Sequence, residues 1–219
     1  MSVKLTADNL SHSFGSELGK HHLFRDVTIT IPAGSSVSIS GVSGSGKSSL
    51  LCLLAGLDSL QQGSVQYFDR ESNRLSKQDV KQRSSFIFQD FQLLEGLSVS
   101  QNVALPLFVK GENLIQQRTE YWLEKVGLEH KLHSDINTLS RGEQQRVAIA
   151  RAFVSAPHLI FADEPTSSLD IATAQLVQDM LIELSNELDV TTIYVTHDMS
   201  FAAKAQLPFK LTGSGLAPL

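Results

Sequence analysis

One run of eight residues restricts the possible folds of this chain more than any other part of its sequence. Residues 41–48 read GVSGSGKS and match the spacing G-x-x-x-x-G-K-[ST] without a gap. The alternating residues 36–40 predict a strand before this run, and the apolar residues 46–56 predict a helix after it. A glycine-rich loop between a strand and a helix is the context in which proteins bind nucleotide phosphates. The sequence therefore predicts a nucleotide-binding α/β protein.

Each residue type in this loop has a physical role in holding phosphate. The glycines let successive backbone N–H groups point inward at phosphate oxygens, and the helix that follows adds its positive dipole end. Lys47 can bring a positive charge to the β- and γ-phosphates, and the Ser48 hydroxyl is a hard oxygen ligand for Mg²⁺. The predicted nucleotide-binding residues of the loop are Gly41, Ser43, Gly44, Ser45, Gly46, Lys47, Ser48 and Ser49.

Composition and charge exclude several other classes of protein. The 219 residues fit one α/β domain, and the single cysteine, Cys52, excludes a disulfide framework and a cysteine-rich zinc site. With 18 basic and 23 acidic residues the net charge is −5, so we predict no nucleic-acid partner. The longest apolar run, residues 50–57, is too short to cross a bilayer, and the N-terminus lacks a signal-peptide pattern. We therefore expect a cytoplasmic chain without direct membrane insertion.

Strand and helix patterns alternate along the chain. Short strands are predicted over 3–40, including 23–31 and 36–40, and further strands at 65–68, 85–89, 158–163 and 191–196. Helices are predicted at 46–56, at 102–127 with a break at Pro106, and at 142–155. Apolar residues at three- and four-residue steps predict one apolar face of a further helix: Ala174, Val177, Leu181, Leu184 and Leu188. This face is too short for a coiled coil, so we expect it to pack on a sheet. The pattern predicts a mostly parallel sheet covered by helices, with a helical insert at about 90–155.

Two predicted strands end in polar residues that could serve catalysis. Asp163 and Glu164 close the apolar strand 158–162, which places them at the sheet edge where the phosphate loop also lies. There Asp163 could hold Mg²⁺ through water and Glu164 could polarise an attacking water. His197 follows the strand 191–196 and could reach the γ-phosphate and pair with the acidic residues. The alternatives are that the acids cap a helix and that the histidine is structural.

A second anion site is predicted where a helix begins. Residues 139–146 read LSRGEQQR, and together with the helix that follows they resemble the signature motif of ABC-type ATPases. Other motifs of that family match in order. Gln89 resembles the Q-loop glutamine, residues 168–170 resemble the D-loop, His197 resembles the switch histidine, and Phe14 occupies the place of an aromatic residue that stacks on adenine. The resemblance covers essentially the whole chain.

The resemblance implies an ABC ATPase fold and a set of roles. The expected fold is α/β: a P-loop NTPase core with a mostly parallel central sheet, an N-terminal antiparallel β subdomain and an inserted α-helical subdomain. The expected single domain spans 1–219, with core residues 1–89 and 156–219 and the helical insert, including the signature, at about 90–155. The implied ligands are ATP and Mg²⁺. The implied catalytic residues are Glu164, His197 and Gln89, and the implied metal-binding residues are Ser48, Gln89 and, through water, Asp163.

In this family two subunits pack head to tail, so each ATP lies between the phosphate loop of one and the signature of the other. The resemblance therefore implies a homodimer in the ATP state, with the D-loop residue Asp170 near the contact. The implied trans-acting residues are Ser140, Arg141, Gly142, Glu143 and Gln144. The alternative is an ordinary capped helix, since Ser140 and Glu143 also form a capping-box pattern. Arg141 departs from the usual Gly, and Phe14 from the commoner Tyr; Phe14 could equally be a core residue.

Less specific sequence motifs resemble those of one group of ABC ATPases. Residues 88–94, 102–107 and 162–166 are most similar to ATPases of lipoprotein release, macrolide-type efflux and bacterial cell division. This similarity implies export or extraction through a separate permease-type membrane subunit, and a location on the inner face of the cell membrane. The alternatives are a cell-division ATPase that gates a wall hydrolase, and, disfavoured by the short acidic chain, a non-transport ATPase acting on DNA or ribosomes.

The segment 90–108 carries many large apolar residues just after Gln89. We predict that some of them line a groove filled by a helix of the membrane subunit, because a chain gains nothing by exposing so many apolar groups. The alternative is that they only pack the helical insert. The residues concerned are Phe91, Leu93, Leu94, Leu97, Leu107 and Phe108.

Overall fold

The computed structural model describes residues 2–15 and 21–219. The strands are β1 (Lys4–Phe14), β2 (His21–Ile31), β3 (Ser36–Ser40), β4 (Gln62–Phe68), β5 (Ser84–Ile87), β6 (Leu159–Asp163), β7 (Thr191–Thr196), β8 (Leu207–Thr212) and β9 (Gly215–Pro218). The helices are α1 (Lys47–Leu54), α2 (Lys77–Arg83), α3 (Val99–Lys110), α4 (Ile115–Lys125), α5 (Arg141–Phe153), α6 (Ile171–Glu187) and α7 (Met199–Ala202), with 3₁₀ turns at Glu129–Lys131 and Ile136–Thr138.

Six strands form the central sheet in the order β5-β6-β7-β3-β8-β9. The pairs from β5 to β8 are parallel, and β9 is antiparallel to β8. Every residue of β3 and β7 is buried, because helices and the second sheet cover both faces. The carboxyl ends of β3, β6 and β7 therefore meet at one edge, which confirms the predicted parallel core.

A second sheet is antiparallel and has the order β2-β1-β4. Alternate residues of its strands, such as Leu5 on β1 and Ile31 on β2, are fully buried. They share one hydrophobic core with Ile39 of the central sheet and with Leu50 and Leu51 of α1. This sheet is the expected N-terminal antiparallel subdomain, and its packing on α1 holds the start of that helix in place.

The chain between β5 and β6 forms helices α3, α4 and α5, which pack against one another. Their buried residues, including Val103, Leu123 and Val147, form a second core with Leu181 on α6 and Tyr194 on β7. Residues 90–155 are all described and contain no strand, only an isolated bridge of residue 98 with 135. The predicted packing of α6 on the sheet is confirmed for Val177, Leu181 and Leu184, which are buried in the same core as Tyr194, whereas Ala174 is half-buried and Leu188 lies beyond the helix and is 38% exposed.

The predicted helix break at Pro106 is wrong. Pro106 lies inside α3, which continues to Lys110. Proline removes a single intrahelical hydrogen bond, and the buried side chains of Val103 and Leu107 keep the helix on the core. The helix ends at Gly111, whose φ of 64° allows a left-handed cap that donates to Phe108 O at 3.1 Å.

Within the described residues, no helix has the length and apolar character needed to span a bilayer. Helices α2 and α7 and strands β8 and β9 have no counterpart among the sequence predictions. Helix α2 buries one side chain, Val80, so it carries no periodic apolar face. The β8–β9 hairpin extends the central sheet at its edge by pairing β8 with β3.

Candidate active site

The phosphate loop leaves β3 and runs into α1 as predicted. Gly44 and Gly46 have φ values of 76° and 90°, the left-handed region that favours glycine. A Cβ at Gly46 would also lie 2.9 Å from Leu23 Cβ. Gly46 caps α1 without any side-chain hydrogen bond. The first N–H groups of α1 are therefore left for an anion, which fits the phosphates of a nucleotide.

Lys47 holds its charge inside the site. Its side chain is only 7% exposed. Its Nζ donates to the carbonyl oxygens of Gly41 and Val42 at 3.1 and 3.2 Å. The same ammonium lies 3.7 Å from Glu164 Oε1. A nearly buried cation is stable here because carbonyls and a carboxylate surround it, and phosphate oxygens can replace these partners.

Ser48 and Asp163 meet at the carboxyl edge of the sheet. Ser48 Oγ donates to Asp163 Oδ1 at 2.8 Å. Burial raises the pKa of the Asp163 carboxyl above its usual value, the Ser48 hydrogen bond opposes that rise, and Glu164 adds to it. A hydroxyl and a carboxylate in contact are two hard oxygen donors, and Gln89 lines the same cleft. This donor set fits Mg²⁺, which prefers oxygen ligands and retains bound water.

Glu164 and His197 form a pair beside Lys47. Glu164 Oε2 lies 2.8 Å from His197 Nδ1 and accepts from the backbone N–H of His197 at 3.3 Å. Glu164 is 12% exposed at its side chain, and His197 is 63% exposed. The backbone N–H of Glu164 donates to Val195 O at 3.0 Å, which ties it to β7. This carboxylate is held in one orientation with one side open to the cleft, so it can accept a proton from a water there.

Lys47, Ser48, Glu164 and His197 line a cleft of about 490 Å³, and Asp163, which is not part of that lining, contacts it through Ser48. The cleft is lined by Phe14, Leu23, Ser43, Gly44, Gly46, Lys47, Ser48, Ser49, Gln89, Glu164, Ser167 and His197. Phe14 is 63% exposed, so the alternative that Phe14 is a core residue is wrong. The other loop residues, Gly41 and Ser45, lie behind: Gly41 faces Leu211, and Ser45 Oγ is buried without a partner among the described residues.

The signature residues lie on a different face. Ser140 caps α5, and its hydroxyl accepts from the N–H of Glu143 at 3.3 Å while Glu143 Oε2 accepts from the N–H of Ser140 at 2.8 Å. These hydrogen bonds lower the pKa of the Glu143 carboxyl. Arg141 is exposed, and Gly142 is packed so tightly that a Cβ there would lie 2.4 Å from Thr173 Cγ2. None of residues 140–144 lines the cleft described above.

Asp170 occupies the start of α6. Its Oδ1 accepts from the backbone N–H of Thr173 at 3.0 Å, and hydrogen bonds from Thr173 lower its pKa. It is exposed and is therefore free to contact another surface. The structure thus gives Asp170 a capping role in its own chain, and its D-loop role stays a prediction.

Two residues that shape the site, Arg151 and Gln178, are not among those predicted from the sequence. Arg151 on α5 donates to the carbonyl oxygens of Phe91 and Gln92 at 2.5 Å each, which fixes the segment after Gln89. Gln178 is a buried amide on the apolar face of α6. A polar residue on that face was the one available signal, whereas the Arg151 contacts depend on tertiary structure alone.

The chain matches known proteins across this whole arrangement. The family model described as ABC transporter matches residues 24–167. The lipoprotein-releasing system ATP-binding protein LolD of Alcanivorax borkumensis is 40% identical, with 94% of this chain and 93% of that protein covered. LolD of Idiomarina loihiensis is 38% identical, over 92% and 91%. The uncharacterized ABC transporter ATP-binding protein YbbA of Escherichia coli K12 is also 38% identical, over 90% of each chain.

Solved structures agree with these relatives. A structure described as the dimeric post-hydrolysis state of the ATP-binding cassette MJ0796, bound to ADP and Pi, has a TM-score of 0.82 and 30% identity, and 98% of each chain is covered. The chain therefore belongs to the ABC transporter family, and its fold is that of the family's ATP-binding cassette. It binds ATP and is an ATPase.

Proposed function

We propose that this chain is the ATPase subunit of a membrane complex that releases or extracts lipoproteins through a separate permease-type subunit. The observation that carries the proposal is the 38–40% identity, over more than nine-tenths of each chain, with two ATP-binding proteins of lipoprotein-releasing systems. A chain with no membrane-spanning helix in its described residues would work on the inner face of the membrane through such a partner.

The residues of the cleft divide the work of hydrolysis. The glycine loop and Lys47 hold the phosphates, and Ser48, Gln89 and, through water, Asp163 would hold Mg²⁺, which would neutralise phosphate charge when bound. Glu164 accepts the proton of the attacking water, and His197 fixes the orientation of that carboxylate. The 2.8 Å contact of Glu164 with His197 supports this assignment. Phe14 offers an exposed ring for adenine stacking.

The dimer completes the site. Residues 140–144 present a helix N-terminus that does not reach the cleft of their own chain, and the related cassette MJ0796 is described as dimeric. We place the signature of one subunit over the phosphate loop of its partner, with Asp170 near the contact. This isologous arrangement yields two equal sites.

The membrane subunit would dock on the helical insert at about 90–155. The apolar residues of the segment 90–108 differ in their exposure to solvent. Leu94 and Phe108 are 50% and 61% exposed, whereas Phe91 and Leu107 are buried. Asn102 is fully buried and holds the exposed turn: its Nδ2 donates to Leu94 O at 3.1 Å, and its Oδ1 accepts from Leu94 N–H at 2.7 Å. An exposed leucine five residues after Gln89, held by a buried asparagine, supports a docking site coupled to nucleotide.

Depletion of the chain in the cells that encode it tests the substrate. We expect palmitate-labelled lipoproteins to stay in the inner membrane, wild-type protein to restore their release, and Glu164→Gln, expressed at equal level, to fail. Normal lipoprotein sorting combined with chains of undivided cells would contradict this proposal in favour of a cell-division role. Normal sorting and normal division would remove both.

A further inference from the structure

The side chain of Gln178 joins the two loops that follow the catalytic strands. Gln178 lies on α6 and is 3% exposed. Its Nε2 donates to Thr166 Oγ1 at 3.2 Å and to Asp198 Oδ2 at 3.1 Å. Its Oε1 accepts from Lys204 Nζ at 3.3 Å. Both donor hydrogens and an acceptor position are thus used by side chains from separate segments.

The partners of this amide lie next to the two residues assigned to hydrolysis. Thr166 follows Glu164 by two residues, and Asp198 follows His197 directly. Glu164 and His197 meet each other on the cleft side at 2.8 Å. The amide of Gln178 therefore closes a ring behind them, from one loop through α6 to the other loop.

Asp198 connects Gln178 to the start of α7 through hydrogen bonds. Its Oδ1 accepts from the backbone N–H groups of Ser200 and Phe201 at 2.8 and 3.2 Å, while its Oδ2 is the atom bound by Gln178. Lys204 is in turn paired with Asp179 at 2.7 Å. Asp179 thus compensates the charge of Lys204, and hydrogen bonds from Gln178, Ser200 and Phe201 satisfy the carboxylate of Asp198, so the network favours one geometry.

Packing alone does not explain a glutamine at this position. Gln178 lies between Val177 and Leu181 on the face that covers the core, where an apolar side chain avoids the cost of burying an amide. We propose that Gln178 is a positioning residue for ATP hydrolysis, which fixes the loop of His197 relative to the loop of Glu164. The inference rests on the roles proposed above for those two residues.

Two substitutions remove the donated hydrogen bonds with different chemistry. Gln178→Met keeps an unbranched side chain of similar length, and Gln178→Glu keeps the shape but has no donor when ionised. Ser185→Ala is the matched control, because Ser185 is 2% exposed on the same helix and its hydroxyl bonds Leu181 O and Thr192 instead. Thr166→Val removes one acceptor at the other end of the network.

We expect both Gln178 variants to lower kcat on the order of tenfold, because a small misplacement of reacting groups is costly. KM for ATP should stay within about twofold, since the phosphate loop is untouched. Hydrogen exchange at the backbone N–H of His197, which donates to Glu164 Oε2 at 3.3 Å, should become faster in the nucleotide-free protein. Thr166→Val should shift kcat and exchange in the same direction, and Ser185→Ala should change neither.

Unchanged kcat and unchanged exchange at His197 in either folded Gln178 variant would overturn the inference. Should both fail to fold, the same result for Thr166→Val would overturn it. A Glu164→Gln variant in the same assay separates the two proposals. If Glu164→Gln still hydrolyses ATP, the assigned roles are wrong. If it is inactive while the Gln178 variants turn over normally, only the role of Gln178 falls.

Discussion

The nucleotide cleft and the signature helix differ in how complete they are within one chain. At the cleft, three segments converge: Ser48 contacts Asp163 at 2.8 Å, and Glu164 contacts His197 at 2.8 Å and Lys47 at 3.7 Å. The signature residues Ser140 and Glu143 instead bond each other and lie apart from that cleft.

At the signature, the residues proposed to act on ATP also stabilise their own helix. In the cleft, the residues proposed to act on ATP are charged groups whose burial costs stability. Ser140 and Glu143 stabilise α5 as a capping box whether or not ATP binds. The cleft instead buries Lys47 and part of Asp163, whose charges become useful only toward phosphate and Mg²⁺. Substitutions in the two regions should therefore behave differently.

The largest expected effect comes from Glu164, the proposed proton acceptor of the cleft. Glu164→Gln should lower kcat by about 10²- to 10⁴-fold, because an amide cannot take the proton of water. ATP binding should persist, and an ATP-bound dimer should accumulate, visible by size-exclusion chromatography with ATP. Turnover near the wild-type rate would remove Glu164 from this role.

A mixture of two inactive proteins tests whether the regions complete each other between subunits. Lys47→Ala disables one cleft, and Ser140→Arg disables one signature. In a 1:1 mixture, half of the dimers are mixed and hold one intact site, so about a quarter of the wild-type rate should return. Wild-type hydrolysis should also rise faster than linearly with protein concentration. A mixture without activity, although mixed dimers form, would contradict the head-to-tail arrangement.

The docking segment should separate basal from stimulated activity. Leu94→Asp should leave the ATPase rate of the isolated chain unchanged and abolish stimulation by the membrane subunit, because the charge would lie in the apolar contact. Val109→Asp is the control, since Val109 is an 86% exposed apolar residue beyond the segment 90–108. Equal loss in both assays would mean that Leu94 is a structural residue.

The smallest effect is one of stability, and its sign should differ between two aspartates. Burial raises the folded-state pKa of Asp163, so stability is lost as the pH rises from the ordinary carboxyl pKa through that raised value, and the ionised carboxylate destabilises the nucleotide-free fold above it. Asp163→Asn should therefore raise Tm at neutral pH by up to about 2–4 °C and weaken Mg²⁺ binding. Hydrogen bonds lower the pKa of Asp170, so its stabilisation is lost as the pH falls through that lowered value.

Asp170→Asn should accordingly not raise Tm at neutral pH. Thermal melts of both variants at neutral and acidic pH check the two signs together. A gain for Asp170→Asn, or a loss for Asp163→Asn, would show that burial is not what distinguishes the two carboxyls.

The convergence of the cleft could be predicted from the sequence because parallel topology brings strand ends together. Asp163, Glu164 and His197 were expected at one edge for this reason, and Glu164 and His197 lie in contact. The start of α5 was also predictable, since the Ser140–Glu143 cap is a local pattern.

Other features of the fold and of the site depend on tertiary contacts, which the order of residues in the sequence does not reveal. Helix α3 continues through Pro106 because the core holds both sides of it. Helix α2 has no apolar face to detect. The Arg151 contacts to Phe91 and Gln92 join residues about 60 positions apart, and only the folded chain brings them together.

The backbone of Glu164 has a consequence for engineering. Its φ of 44° places a residue with a Cβ in the left-handed region, which costs about 1–2 kcal/mol. A library selected for heat resistance alone should therefore drift toward glycine or asparagine at this position and lose catalysis. Programmes that stabilise the protein need to hold residue 164 constant and look for their gains elsewhere.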